Sequence, residues 1–130
     1  LFIEGKNEDT STLLKTIADK LSTKTYFANS EQRARLHLAA VFACNFSNLL
    51  YDIASEIVNV EQGGFEVLKP LISETAEKVQ TLSPRKAQTG PATRYDTEII
   101  DKHIAMLSQQ PELADLYEKM SKMIYQRSIR

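Results

Sequence analysis

Between Arg35 and Asp52 the chain carries no formal charge, and a run of that kind has few places to go in a folded protein. The uncharged residues from Leu36 to Tyr51 fall short of the ~20 a membrane-crossing helix needs, and they include His37, Asn45, Ser47 and Asn48. The run therefore predicts a buried helix within protein. Asn29 or Ser30 can cap its start, Glu31 sits favourably in its first turn, and the helical pattern continues to Asn59. A helix of roughly 30 residues this poor in charge is expected at the centre of the fold, surrounded by other helices. Leu38, Phe42, Phe46, Leu49, Ile53 and Ile57 are its candidate core face.

Ahead of that helix the pattern differs. Leu1-Phe2-Ile3 reads as a short buried strand ended by Glu4-Gly5, and Thr25-Tyr26-Phe27 as a second strand. Leu13, Leu14, Ile17, Ala18 and Leu21 recur between them at helical spacing, after the capping candidates Asn7, Asp9 and Thr10. One strand-helix-strand unit cannot make a stable sheet alone, so further strands are expected from elsewhere. The chain accordingly reads as cut from something longer. Its start at Leu1, with no initiator Met and no signal-peptide pattern, points the same way.

The rest is helical. Gly63-Gly64 ends a connection, after which Phe65, Leu68, Leu71, Ile72, Thr75, Ala76, Val79 and Leu82 mark a helix that Pro70 should bend or restart near its first turn. A loop from Ser83 to Pro91 leads to a helix capped by Thr93, with Asp96 three residues on, running through Ile99, Ile100, Ile104 and Leu107. Pro111 opens the last helix, whose stripe is Leu113, Leu116, Tyr117, Met120, Met123 and Ile124.

The length of 130 residues suits one compact unit. A net charge of −1 provides no field to attract nucleic acid, and neither a nucleic-acid nor a membrane partner is expected. The lone Cys44 has no partner for a disulfide, and its apolar flanks predict a small buried hydrophobe in a reducing, cytoplasmic setting. The two histidines and one cysteine show no zinc spacing. No glycine-rich phosphate loop is present, so the chain alone is not expected to bind a dinucleotide.

Two features could carry chemistry. At 100° per residue His37, Asn45, Asn48 and Asp52 fall within about 80° on the long helix. In a cleft, His37 could donate a proton to a carbonyl under reduction, since an imidazole titrates near working pH. The same stripe could instead hydrogen-bond to neighbouring helices or face water. The second feature is the loop Ser83 to Arg94, with the cations Arg85, Lys86 and Arg94 and no acid. Gln88, Thr89 and Gly90 within it, and the helix start that follows, suit an anion. An ordinary interhelical connection with solvated charges reads equally well. His103, on the apolar face of its helix, reads as a satisfied structural histidine.

Three segments carry a resemblance: Glu31 through Asn48, Leu68-Lys69-Pro70-Leu71-Ile72-Ser73-Glu74-Thr75, and Gln88-Thr89-Gly90-Pro91-Ala92 with Arg94 and Asp96. They resemble an uncharacterised bacterial family in which a helical domain of unknown function follows a Rossmann-like NADP-binding domain. The architecture of that family is similar to pyrroline-5-carboxylate reductase, ketopantoate reductase and 6-phosphogluconate dehydrogenase, whose C-terminal helices build the dimer and close the substrate cleft. The resemblance implies a mainly α fold: a helical bundle of the 6-phosphogluconate dehydrogenase C-terminal type over residues 29–130, preceded by a βαβ remnant of a Rossmann-like domain over 1–28. By analogy with ketopantoate reductase, His37 takes roughly the place of a catalytic lysine and Asn45 that of an asparagine two turns on. Val41 stands where a further asparagine would be expected.

The resulting expectation is the dimerisation and substrate-binding domain of an NADP-dependent oxidoreductase, with NADP held by the missing domain. His37 is the catalytic candidate, and Asn45, Asn48, Arg85, Gln88, Thr89, Gly90 and Arg94 are candidates for binding a small, anionic substrate. The alternatives are a non-catalytic module that binds an anionic metabolite at Arg85, Lys86 and Arg94, or a pure assembly domain.

Overall fold

A computed structural model of the chain describes residues 1–58 and 60–130. It is mainly helical and divides into two compact units, Leu1–Phe65 and Glu66–Arg130.

The first unit opens as a βαβ element. β1 (Phe2–Ile3) and β2 (Tyr26–Phe27) pair in parallel, with Phe2 opposite Tyr26 and Ile3 opposite Phe27. The amides of Tyr26 and Ala28 donate to the carbonyls of Leu1 and Ile3 at 2.8 and 3.0 Å. Between the strands runs α1 (Glu8–Leu21). Asn7 caps it, its side chain accepting from the Thr10 amide at 2.9 Å. The chain turns into α1 so tightly that a Cβ on Gly5 would meet the Ser11 backbone nitrogen at 2.5 Å.

α2 (Ser30–Ala40) starts with a full capping box: the Asn29 side chain accepts from the Gln32 amide while the Gln32 side chain accepts from the Asn29 amide. Glu4, just after β1, fastens this helix start. It accepts from the Ser30 amide and hydroxyl at 3.2 and 3.1 Å and from Arg33 Nη1 at 2.5 Å, while Arg33 Nη1 also donates to the Ala28 carbonyl.

α2 continues through a π turn, Val41–Asn45, into α3 (Phe46–Ile57), so one helix spans Ser30–Ile57. The Phe46 amide donates to the Val41 carbonyl, five residues back, which marks the turn. The helix ends where Val58 becomes extended; Asn59, its expected last residue, lies outside the described residues.

The length of this helix matches the sequence reading, but its burial does not. None of its residues is buried, and on the expected core face Leu38 is 58 %, Phe42 62 % and Leu49 52 % exposed. Cys44, expected to be buried, is exposed as well. The physical reason is that little within the first unit is available to lie over the helix: among the described residues its other elements are one pair of two-residue strands, α1 and a 3₁₀ turn, Val60–Gln62.

The second unit holds α4 (Lys69–Thr81), α5 (Pro84–Ala87), a 3₁₀ turn Pro91–Arg94, α6 (Thr97–Met106) and α7 (Pro111–Ser128). Pro70 lies in the first turn of α4, after a 3₁₀ segment Gly64–Leu68, and Pro111 opens α7. The cap of α6 is Asp96, which accepts from the Ile99 amide at 3.3 Å. Thr93, the expected cap, belongs instead to the 3₁₀ turn, where its hydroxyl donates to the Gly90 carbonyl at 2.7 Å. α6, α7 and that turn share a small core around Ala92, Ile100 and Ser121. His103 is a satisfied structural histidine, its Nδ1 2.8 Å from the Tyr117 hydroxyl.

The chain exposes 10528 Å², against about 6,900 Å² for a compact monomer of this mass. Two separate compact units of half the mass would together expose only about 8,400 Å². Roughly 2,100 Å² is therefore in excess however the units are arranged, and the bare face of α2 and α3 belongs to that excess.

Candidate functional site

The polar stripe on the long helix crosses the π turn. One extra residue there withholds roughly 100° of rotation, so Asp52 comes to about 40° and Asn48 to about 80° from His37. The four side chains still share a face. At 1.5 Å per residue, however, His37 stands about 16 Å from Asn48 and 22 Å from Asp52 along the axis, which is too far for one small ligand to touch all of them. The structure brings Asn48 and Asp52 together, in a shallow depression of about 270 Å³ that Tyr51, Ser55 and Phe65 complete. His37 and Asn45 do not line it.

Sequence reasoning missed Tyr51, Ser55 and Phe65. Ser55 donates to the Asp52 carbonyl at 2.7 Å; the Asp52 carboxylate, the Asn48 amide and the Tyr51 hydroxyl are the other polar groups at the depression. Phe65 lies beyond the helix end, after Gly63 and Gly64, whose φ values of 97° and 58° turn the chain. The GG pair was the available signal for a reversal, though not for where the ring would land.

In the second unit a cavity of about 290 Å³ is lined by Pro84, Arg85, Gln88, Thr93, Ile124, Arg127 and Ser128. Of the predicted anion-binding residues it gathers Arg85 and Gln88. Thr89, Gly90 and Lys86 do not line it, and Arg94 turns to Asp96, at 3.4 Å. Gly90 serves the site indirectly: at φ 106° and ψ 174° it takes a conformation only glycine adopts readily. Arg127 and Ser128 enter from the last turn of α7, where the Ser128 hydroxyl lies 2.9 Å from the Thr93 carbonyl and 2.8 Å from that of Tyr125. No local motif ties residues 127 and 128 to a loop more than 30 positions away, so only the packing of α7 reveals them.

The β1 to α1 connection, Glu4-Gly5-Lys6-Asn7, has one glycine where a pyrophosphate loop needs three, and the two-stranded sheet lacks the neighbouring strands that form the crevice. Among the described residues no group of His, Cys, Asp or Glu could hold a metal ion. By length and composition alone the helix Ser30–Ile57 could cross a membrane; its stripe of His37, Asn45, Asn48 and Asp52 makes it amphipathic rather than apolar all round.

No curated protein matches the chain. Among solved structures it is similar to a crystal structure from Bacteroides fragilis described as a "putative NADP oxidoreductase", with 48 % identity and a TM-score of 0.88. The match covers 96 % of this chain and 48 % of that one, so the chain spans about half the length of its relative. The family described as domain of unknown function DUF2520 matches residues 1–124, and the chain belongs to it.

Proposed function

We propose that this chain is the C-terminal dimerisation and substrate-binding half of an NADP-dependent oxidoreductase. The observation that carries the reading is the uncovered apolar face of the long helix, in a chain that matches about half of a relative described as an NADP oxidoreductase. On this reading residues 1–28 complete the sheet of a nucleotide-binding domain, which would explain a two-stranded remnant too small to stand alone. Residues 29–130 form the helical domain.

A second copy of the chain is the partner proposed for the helix face. An interface between domains of one chain typically buries about 600–1,500 Å² in all and is rather polar. Obligate dimers bury about 2,000–5,000 Å² in all and are apolar. An excess of roughly 2,100 Å² on one chain, rich in Leu38, Phe42, Phe46 and Leu49, fits the second class. The amide, imidazole and carboxylate groups along the same helix favour protein over lipid, because hydrocarbon would leave them unpaired, and agree with a cytoplasmic location.

NADP would supply the reducing equivalents from the other half of the protein. In this chain, Asn48 and Asp52 orient a substrate through hydrogen bonds at their depression, with Tyr51 and Phe65 against its apolar part. Asn45 and His37 extend the stripe; because His37 stands about 16 Å from Asn48, a small substrate held at the depression is out of its reach, and His37 is the proton donor only for a substrate whose reacting oxygen lies at its own end of the stripe.

The test is made in the protein that carries this chain together with its nucleotide-binding half. His37→Ala is expected to abolish or strongly reduce NADPH-dependent turnover while leaving the dimer intact. Unchanged turnover would remove His37 from the mechanism, and failure of the whole protein to bind NADPH would overturn the oxidoreductase reading itself.

A further inference from the structure

The polar groups that line the cavity of the second unit are mainly hydrogen-bond donors, set in a wall that is otherwise apolar. Arg85 and Arg127 line it, and neither forms an ion pair with any of the described residues. No acid lines it. The hydroxyl of Thr93 is engaged with the Gly90 carbonyl and that of Ser128 with backbone carbonyls. One hydrogen of the Gln88 side-chain amide goes to the Thr89 carbonyl at 3.1 Å, leaving the other free. The unspent donors are thus two guanidiniums and an amide, and the complement of such a wall is an acceptor bearing negative charge.

The surroundings narrow the ligand further. Pro84 and Ile124 add an apolar surface, so a short carbon body is accommodated as well as a charged head. A volume of about 290 Å³ lies at the small end of ligand pockets. The C-terminal end of α7 carries partial negative charge, so the attraction must come from the two guanidiniums and not from a helix dipole.

We infer that this cavity binds a small, doubly charged organic anion, a dicarboxylate or a phosphate monoester, between Arg85 and Arg127. The inference goes beyond the oxidoreductase reading, since it stands on residues 84–128 alone and makes no use of NADP, dimerisation or His37.

The test follows the arginine Nε–Hε resonances of the full chain by NMR during titration with succinate and, separately, with inorganic phosphate. Saturable shifts at Arg85 and Arg127 are expected, and the anion that saturates at the lower concentration identifies the carboxylate or the phosphate source. Arg85→Gln and Arg127→Gln should each weaken binding by about tenfold or more, as the loss of a charge-assisted bond implies. Lys86→Gln and Arg94→Gln, outside the cavity, should change it by no more than about twofold. All four positions are exposed, and an unchanged amide spectrum confirms that each variant folds. Absence of saturation with both anions, or equal weakening by all four substitutions, would overturn the inference. Either failure would leave NADPH turnover in the whole protein untouched, so the two readings are tested apart.

Discussion

Gly90 shows how one residue can hold a site it does not touch. A Cβ placed on it would meet nothing within 4 Å, so steric crowding gives no reason for the glycine. The reason is its backbone, at φ 106° and ψ 174°, which costs another residue about 1–3 kcal/mol. Gly90→Ala is accordingly expected to destabilise the chain by about 1–3 kcal/mol, measurable by denaturant unfolding, and to weaken the anion cavity by shifting the turn that carries Thr93. An alanine variant as stable as the parent would contradict this. Residues whose role is local were legible in the sequence: Asn7 and Asn29 cap the helices they precede, and His103 is satisfied. Thr93 was misjudged because the chain makes a 3₁₀ turn before α6, so the cap falls at Asp96. Arg127 could not be found at all, since its neighbours in space are remote in sequence.

Among the elements, the joint between β1 and α2 is held by a charged pair, Glu4 and Arg33. Arg33, by hydrogen bond, holds the Glu4 carboxyl below its ordinary value of 4.5, with the Ser30 hydroxyl and amide and the charge of Arg33 adding to the effect. A carboxyl lowered on folding contributes stability that is complete above the unfolded value and is lost as pH falls through the folded one. Glu4→Gln should therefore lower Tm at neutral pH, and its deficit relative to wild type should shrink as the solution is acidified below about 4.5. Thermal unfolding followed by circular dichroism at both pH values checks this; a deficit independent of pH would assign the joint to packing alone. Element boundaries read well where caps and prolines mark them, as at Asn29, Pro70 and Pro111. The π turn was not legible, because Val41-Phe42-Ala43-Cys44-Asn45 continues the helical pattern without a break, and its effect is a turn of roughly 100° between the two halves of the stripe.

For the whole molecule, the mainly helical class and the parallel βαβ start followed from periodicity and from the resemblance. The burial of the central helix did not, because an apolar pattern states that a face must be covered and is silent on what covers it. Phe42 and Phe46 pack edge to face at 4.9 Å on that open surface, a preformed aromatic patch of the kind that anchors interfaces. The central claim is that a second copy covers it. Sedimentation equilibrium on the chain, with Leu49→Lys as the comparison, tests this most directly. The account predicts a dimer for the wild type and, for Leu49→Lys, association weakened by a charge that must be buried unpaired at the interface, so that monomer appears. A wild-type chain that stays monomeric at high micromolar concentration, or a dimer indifferent to Leu49→Lys, would contradict it.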